Sequence, residues 1–271
     1  MGGFTRFWRR VPAENGARCA SDRGVRTARA LIVAAGLLGL ASAAPAFAEP
    51  SSCVVCHVDA LGKPAATAHL TEWRQSKHGS HEIGCEPCHG GDPTAAEARW
   101  AHRGVLHSTV PRSPVNRANL PVTCASCHAA QASAFSASLH GALLDVDESR
   151  APSCSTCHGA MDSSVPSPVA LEATCAACHP PRSPRGAYPG AARSGIEEIA
   201  RIRTKLADFS TTIGEVGDPI WRGELRTAWE TATQATASAV AAFHAADLRR
   251  MAESLDVARR TTDSLTSEFE R

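Results

Sequence analysis

Residues 49–180 contain few leucine, isoleucine and phenylalanine side chains and are rich instead in alanine, serine, proline, glycine and histidine. A segment of this composition cannot bury enough apolar side chain to offset the conformational entropy that folding costs. An ordinary hydrophobic core is therefore excluded for this half of the chain. We expect a bound apolar group to supply its interior, and we expect the segment to be disordered without that group.

Long apolar runs are also scarce. The run at residues 30–40 follows a segment with seven arginines and is itself followed by the small-residue site Ala46-Phe47-Ala48. A basic segment, a short apolar run and a small-residue site are typical of a secretory signal peptide, so we predict that residues 1–48 are removed and that the protein is periplasmic. A retained membrane anchor is the alternative, although the run is short for a span. No other stretch is long enough, so no stable membrane span is expected after cleavage.

The mature chain lacks the surplus of positive charge that nucleic acid binding requires. Signal removal takes seven of the 28 lysines and arginines and two of the 27 acidic residues, which leaves 21 and 25 and a formal net charge of −4. A nucleic acid partner is therefore not expected.

Cysteine, by contrast, is abundant and nearly confined to one pattern. Ten of the eleven cysteines lie in five copies of Cys-x-x-Cys-His, and the eleventh, Cys19, lies in the predicted signal peptide. In c-type haem attachment the two thiols form thioethers with the haem vinyl groups, and the histidine becomes the proximal iron ligand. The predicted thioether residues are Cys53, Cys56, Cys85, Cys88, Cys124, Cys127, Cys154, Cys157, Cys175 and Cys178. The predicted proximal ligands are His57, His89, His128, His158 and His179.

Three other uses of paired cysteines compete with this interpretation. A zinc site needs no histidine directly after the second cysteine of every copy. A thioredoxin-like redox pair normally occurs once, on a βαβ unit. A disulfide framework is the third alternative. Because five identical motifs hold ten cysteines, the pattern favours five covalently bound haem c groups.

An internal repeat divides the motif-rich segment. Trp73 begins an aromatic-x-x-Ser-x-His-Gly stretch that precedes the motif at Cys85, and Phe135 begins another that precedes the motif at Cys154. A further motif lies before each stretch. The repeat predicts a duplicated two-haem module with a fifth haem appended at Cys175.

Seven histidines outside the motifs can supply distal iron ligands. Only Met161 and Met251 remain after signal removal, so two histidines per iron is the economical interpretation, and such haems have low potentials compared with Met/His haems. The candidate distal ligands are His78, His140, His244, His107 and His69. His102 and His107 are five residues apart and are not expected to serve one iron. Of these two we favour His107, and His81 is left unassigned.

The sequence predicts a mainly α fold with extensive irregular loops and almost no sheet. The predicted regions are a signal peptide (1–48), a pentahaem-binding domain (49–180), a Pro/Gly-rich linker (181–195) and a C-terminal helical region (196–271). An apolar face from Ile196 to Ile213 predicts one helix, which ends where two glycines and Pro219 follow. The apolar pattern from Leu225 to Phe269 predicts either one very long helix or a helical hairpin.

With its closely spaced Cys-x-x-Cys-His motifs, two Ser-x-His-Gly segments and helical C-terminus, the chain resembles the multihaem c-type cytochromes. That group includes cytochrome c554, octahaem hydroxylamine oxidoreductase and the pentahaem nitrite reductases. The resemblance covers residues 53–271 loosely, and the stretch from Phe243 to Arg249 is similar to a histidine-bearing C-terminal helix of the nitrite reductases.

The chain also departs from these relatives. The nitrite reductases bind their catalytic haem through Cys-x-x-Cys-Lys, whereas all five motifs here end in histidine. The hydroxylamine oxidoreductases bind eight haems and cross-link one to a tyrosine, whereas Tyr188, the only tyrosine here, lies in the predicted linker. The size is closer to the small pentahaem electron-transfer partners of nitrite reductase.

The sequence therefore predicts a periplasmic pentahaem cytochrome that carries electrons along bis-histidine haems between redox partner proteins. The main alternative is a multihaem reductase or oxidase of a small nitrogen or sulfur compound, such as nitrite, hydroxylamine or tetrathionate, with one open-sided haem. A haem-based sensor or a structural subunit is a third class. We favour electron transfer over an enzyme because no Ser/His/Asp arrangement or phosphate-binding loop accompanies the motifs.

Overall fold

The computed structural model describes residues 52–59 and 64–270, and within these ranges the chain is helical and contains no β-strand. The predicted signal peptide lies outside the described residues. The helices are α1 (Ser52–Asp59), α2 (Pro64–Gln75), α3 (Lys77–Ser80), α4 (Glu86–His89), α5 (Ala98–Ala101), α6 (Leu120–Ala125), α7 (Ala129–Ser136), α8 (Leu139–Val146), α9 (Cys154–His158), α10 (Pro168–Cys178), α11 (Tyr188–Glu215), α12 (Pro219–His244) and α13 (Leu248–Phe269). The predicted mainly α fold is confirmed.

Helices α1 to α10 are short, are joined by irregular loops and bury little apolar surface. Within the described part of this half, the buried hydrophobic residues are Ala132, Leu144, Ala151 and Leu171. The exposed large hydrophobic residues here are Val55, Ile83, Trp100, Val122, Leu139, Val146, Val165 and Val169. Since burial of apolar surface is the main favourable term in folding, this half needs a further source of core.

Helices α11, α12 and α13 pack against one another as a three-helix bundle. Loops at 216–218 and 245–247 join them, so consecutive helices run antiparallel. The bundle core consists of Ile199, Ile202, Leu206, Ala232, Ala239, Ala242, Met251, Leu255 and Ala258. The small alanine side chains on the facing surfaces of α12 and α13 let these two helices approach closely. Among the described helices, none is long and apolar enough to span a membrane.

The breaks between the long helices follow from capping side chains. Asp218 accepts hydrogen bonds from the backbone N–H groups of Ile220 and Trp221 at 2.8 and 2.9 Å, and Pro219 occupies the first turn of α12. Asp247 caps α13 in the same way, through the N–H of Arg250 at 2.9 Å. These caps satisfy N–H groups that lack partners within their helix. The C-terminal pattern therefore forms a helical hairpin, one of the two alternatives that the sequence left open.

Helix α11 begins at Tyr188, inside the segment predicted as a linker, because Pro189 is tolerated in the first turn of a helix. Helix α10 packs along α11, and Arg193 joins them. Its Nη1 lies 3.0 Å from a carboxylate oxygen of Glu172, and its Nε lies 2.9 Å from one of Glu197. Helix α7 also packs on α12. The bundle is thereby attached to the half that carries the Cys-x-x-Cys-His motifs.

Candidate haem sites

Each Cys-x-x-Cys-His motif lies on a helical turn. We number the motifs in chain order as motif 1 (53–57, in α1), motif 2 (85–89, at α4), motif 3 (124–128, at the end of α6), motif 4 (154–158, in α9) and motif 5 (175–179, at the end of α10). The backbone N–H groups of His89, His128 and His179 donate to the carbonyl of the first cysteine of their motifs at 2.8 to 2.9 Å. Because residues three apart share a helix face, the two thiols of each motif lie on one side of the turn.

The thiols are largely unpaired. Nine of the ten motif cysteines are free, and Cys56 is disulfide-bonded. Thioether formation at motif 1 therefore requires Cys56 in its reduced form. The pKa of Cys85 is raised to about 11, mainly because the thiol is buried and secondly because the Cys53 thiol is close to it. A framework of disulfides among the motifs would leave no such set of free thiols.

Four of the five motif histidines each face one histidine from outside the motifs. The ring centroids are 5.9 Å apart for His57 and His102, 6.0 Å for His128 and His78, 6.1 Å for His179 and His140, and 6.3 Å for His158 and His244. The angles between the ring planes are 53°, 49°, 37° and 6° in the same order.

This spacing would suit two imidazoles bound to one iron. A metal–imidazole nitrogen bond is about 2.0–2.1 Å long, and the nitrogen lies about 1.2 Å from the centre of its ring, so two imidazoles on opposite sides of one iron have centroids about 6.4 Å apart. Aromatic rings in direct contact also reach such distances. Packing alone, however, does not explain why each pair joins one motif histidine to one histidine from elsewhere in the chain.

The partner histidines come from distant parts of the sequence. His78 lies in α3, between motifs 1 and 2, yet it faces motif 3. His140 lies in α8, between motifs 3 and 4, and faces motif 5. In both copies of the repeat, the histidine of the Ser-x-His-Gly segment thus faces the second motif that follows it in the sequence, and not the first. His102 follows α5 and faces back to motif 1, and His244 ends α12 and faces motif 4.

Hydrogen bonds orient three of these rings. The Nδ1 atoms of His158 and His244 lie 2.8 Å from the carbonyl oxygens of Ser164 and Val240. The Nδ1 atom of His102 lies 2.9 Å from the carbonyl oxygen of Ala98. In the tautomer that donates from Nδ1, the lone pair is on Nε2, where a metal binds.

Burial also favours the ligand form of the partner histidines. Burial lowers the pKa of His78, His140 and His244, and the facing motif histidine lowers it further in each case. A lower pKa keeps the imidazole neutral, which is the form that binds iron.

Motif 2 differs from the other four motifs. Among the described residues, no histidine ring faces His89 at the spacing of the other pairs. Burial lowers the pKa of His89, and His69 and then His57 contribute to the shift, so His69 is nearby. The His69 side chain is 62% exposed, and its Nδ1 lies 3.5 Å from a carboxylate oxygen of Glu72.

The structure places His102, and not His107, opposite a motif histidine. The Nδ1 atom of His107 lies 2.9 Å from the hydroxyl of Thr109, and the side chain is exposed. His81 is also exposed. The sequence offers no signal that separates His102 from His107, because apolar residues precede both and both belong to the segment between motifs 2 and 3.

Neighbouring motifs in the chain are neighbours in space. Helix α4 packs on α6, α6 on α9, and α9 on α10, which brings motifs 2, 3, 4 and 5 together in that order. The thiols follow the same order. Cys53 contacts Cys85, and Cys124 contacts Cys154 closely enough that the pair shares a hydrogen bond, which raises the pKa of Cys124 and lowers that of Cys154.

These residues fit haem c. Each motif has two cysteines and one histidine at the spacing that attachment requires, and four motif histidines have a second imidazole at the distance of a shared iron. Several exposed apolar side chains lie beside these groups, including Val55 within motif 1, Val122 before motif 3 and Leu139 before His140. A porphyrin face would cover such side chains.

Comparisons with known proteins bear on the same segment. The family described as cytochrome c554 and c-prime matches residues 39–90, which include motifs 1 and 2. The C-type polyheme cytochrome OmcC of Geobacter sulfurreducens is 28% identical over 129 residues, which are 45% of this chain and 16% of OmcC. This chain therefore matches only a small part of the length of that relative. No solved structure matches it.

Proposed function

We propose that this chain is a periplasmic multihaem c-type cytochrome that passes electrons along five covalently bound haem c groups. The observation that supports this best is the set of four histidine pairs at 5.9 to 6.3 Å. An iron held between two imidazoles has no free position for a substrate unless one imidazole leaves it, so such a site favours electron transfer. The chain's own residues hold the irons close together and set their potentials through ligand type and burial.

We assign the axial ligands from these pairs. The pairs of proximal and distal ligand are His57 with His102, His128 with His78, His158 with His244, and His179 with His140. At motif 2, His69 is the candidate for the position opposite His89. This set retains four of the candidates from the sequence and uses His102 in place of His107.

The packing order supports one electron path. Since motifs 2 to 5 lie on helices that pack in chain order, and since the thiols of motifs 1 and 2 are in contact, the path runs from motif 1 to motif 5. The two ends of this path are then the places where a donor and an acceptor protein exchange electrons with the chain.

The periplasmic location rests on the predicted signal peptide, which lies outside the described residues, and on the compartment typical of multihaem c-type cytochromes. Thioether attachment of haem c and exposed redox partners both suit that compartment. Among the described helices, none can span a membrane.

Two measurements on the exported protein test the proposal. Its mass should exceed that of the polypeptide by five haems, and electron paramagnetic resonance of the oxidised protein should show low-spin ferric haem at the four paired motifs. A mass equal to that of the bare polypeptide, or high-spin haem at several motifs, would contradict it.

Motif 2 supports a second candidate function. Because, in the described part of the chain, no ring faces His89 at the spacing of the other pairs and His69 is largely exposed, the haem at this motif is the one whose distal side can be open. An open-sided haem can bind a small molecule such as nitrite, hydroxylamine or tetrathionate, and the other four haems would then supply or remove electrons.

The two candidates differ in the spin state of one haem. Electron transfer alone predicts that the His69→Ala variant gains a high-spin signal that the parent protein lacks. The enzyme predicts that the parent already has this signal, that His69→Ala leaves it unchanged, and that the reduced protein is reoxidised by one of these compounds.

A further inference from the structure

The two Ser-x-His-Gly segments of the repeat fold in the same way around a buried serine. Ser76 and Ser138 are 3% and 5% exposed. The Oγ atom of each accepts a hydrogen bond from the backbone N–H of the glycine three residues later, at 3.0 Å in both segments. The same hydroxyl donates to the carbonyl of the aromatic residue three positions earlier, at 2.6 Å in both.

The glycine of each segment belongs to the same arrangement. A Cβ atom at Gly79 would lie 2.2 Å from the carbonyl oxygen of Trp73, and one at Gly141 would lie 2.5 Å from that of Phe135. No side chain fits at these distances. The turn therefore closes against the carbonyl that the serine also contacts, which requires glycine at one position and a small hydroxyl at the other.

We propose that Ser76 and Ser138 are positioning residues that hold His78 and His140 in place as distal iron ligands. Each histidine lies between the serine and the glycine, so the two hydrogen bonds fix the backbone on both sides of it. The serine backbone has nearly the same extended conformation in both segments, with φ and ψ of −75° and 165° at Ser76 and −83° and 165° at Ser138. This inference rests on the proposed bis-histidine ligation.

The segments also contain matched controls. Ser80 is exposed, and its hydroxyl donates to the carbonyl of Lys77, at 2.9 Å. Ser136 is exposed at the end of α7. Replacing either by alanine removes a hydroxyl from the same segment without touching the buried turn.

Carbon monoxide binding to the dithionite-reduced holoprotein tests the inference, because the gas competes with the distal histidine for the iron. Loss of a capping serine should raise the affinity of one haem for carbon monoxide by roughly 5–30-fold. We expect this increase in Ser76→Ala and Ser138→Ala, at different haems, and the parent's affinity in Ser80→Ala and Ser136→Ala. Ser76→Thr keeps the hydroxyl and should retain the parent's affinity.

Two histidine variants separate this inference from the proposed function. His78→Ala and His140→Ala should each create one haem that binds carbon monoxide without competition. If they do not, the ligand assignment itself is wrong. If they do, and Ser76→Ala and Ser138→Ala bind like the parent, only the positioning role is overturned. Two other results would indicate a packing role and would also overturn the positioning role. One is a serine variant that lacks a haem, and the other is an equal change of carbon monoxide affinity in the alanine and threonine variants.

Discussion

His102 and His107 give the sharpest test of the ligand assignment, because the two residues share a segment and differ in what they face. The His102 ring lies 5.9 Å from that of His57, and its Nδ1 atom is held by the carbonyl of Ala98. Both side chains are exposed, but His107 contacts Thr109 instead of a motif histidine. We therefore expect His102→Ala to remove one axial ligand and His107→Ala to remove none.

The size of the effect follows from the number of motifs. With five haems, loss of one distal ligand converts one fifth of the total ferric haem from low spin to high spin, measured against the parent protein. His89 also lies near His57, but it is itself a motif ligand. Electron paramagnetic resonance with spin quantitation on the oxidised proteins measures this fraction, and the absorbance spectrum gives an independent estimate.

Two results would refute the reasoning. A high-spin signal in His107→Ala with none in His102→Ala would restore the assignment that the sequence favoured. No change in either variant would mean that the 5.9 Å spacing at motif 1 arises from ring packing alone. Equal haem content in the parent and both variants is the control.

Three further predictions follow from individual contacts. His244→Ala removes the ring that lies 6.3 Å from His158 and should add one high-spin haem, while the far-ultraviolet circular dichroism stays unchanged. An unchanged spin state would show that the bundle supplies no ligand. Replacing both Cys175 and Cys178 by serine should lower the mass of the exported protein by one haem, and a parent mass would exclude attachment at motif 5. Trp229→Phe removes the 2.8 Å hydrogen bond that the indole N–H donates to the carbonyl of Leu206. The free energy of unfolding should fall by about 1 kcal/mol and the Tm by roughly 2–4 °C. An unchanged Tm would contradict this prediction.

Much of the fold was predictable because its causes are local. Two glycines and Pro219 indicated a helix break, and α11 ends at Glu215 while α12 begins at Pro219. The start of α11 was less predictable, since proline and glycine are common in linkers and Pro189 is equally acceptable in a first helical turn. Ile202 lies in the bundle core but was not singled out from the apolar face, because its burial depends on the other two helices.

The sequence by itself determined where haem can attach, since the cysteines and the histidine of one motif lie within a single helical turn and need no distant residue. It also determined that residues 49–180 cannot form an ordinary apolar core. Only the tertiary structure decided which second histidine faces which motif. His78 lies before motif 2 and faces motif 3, and His244, at the end of α12 in the bundle, faces motif 4. Such pairs depend on how helices pack across the chain, and spacing along the sequence does not record that packing.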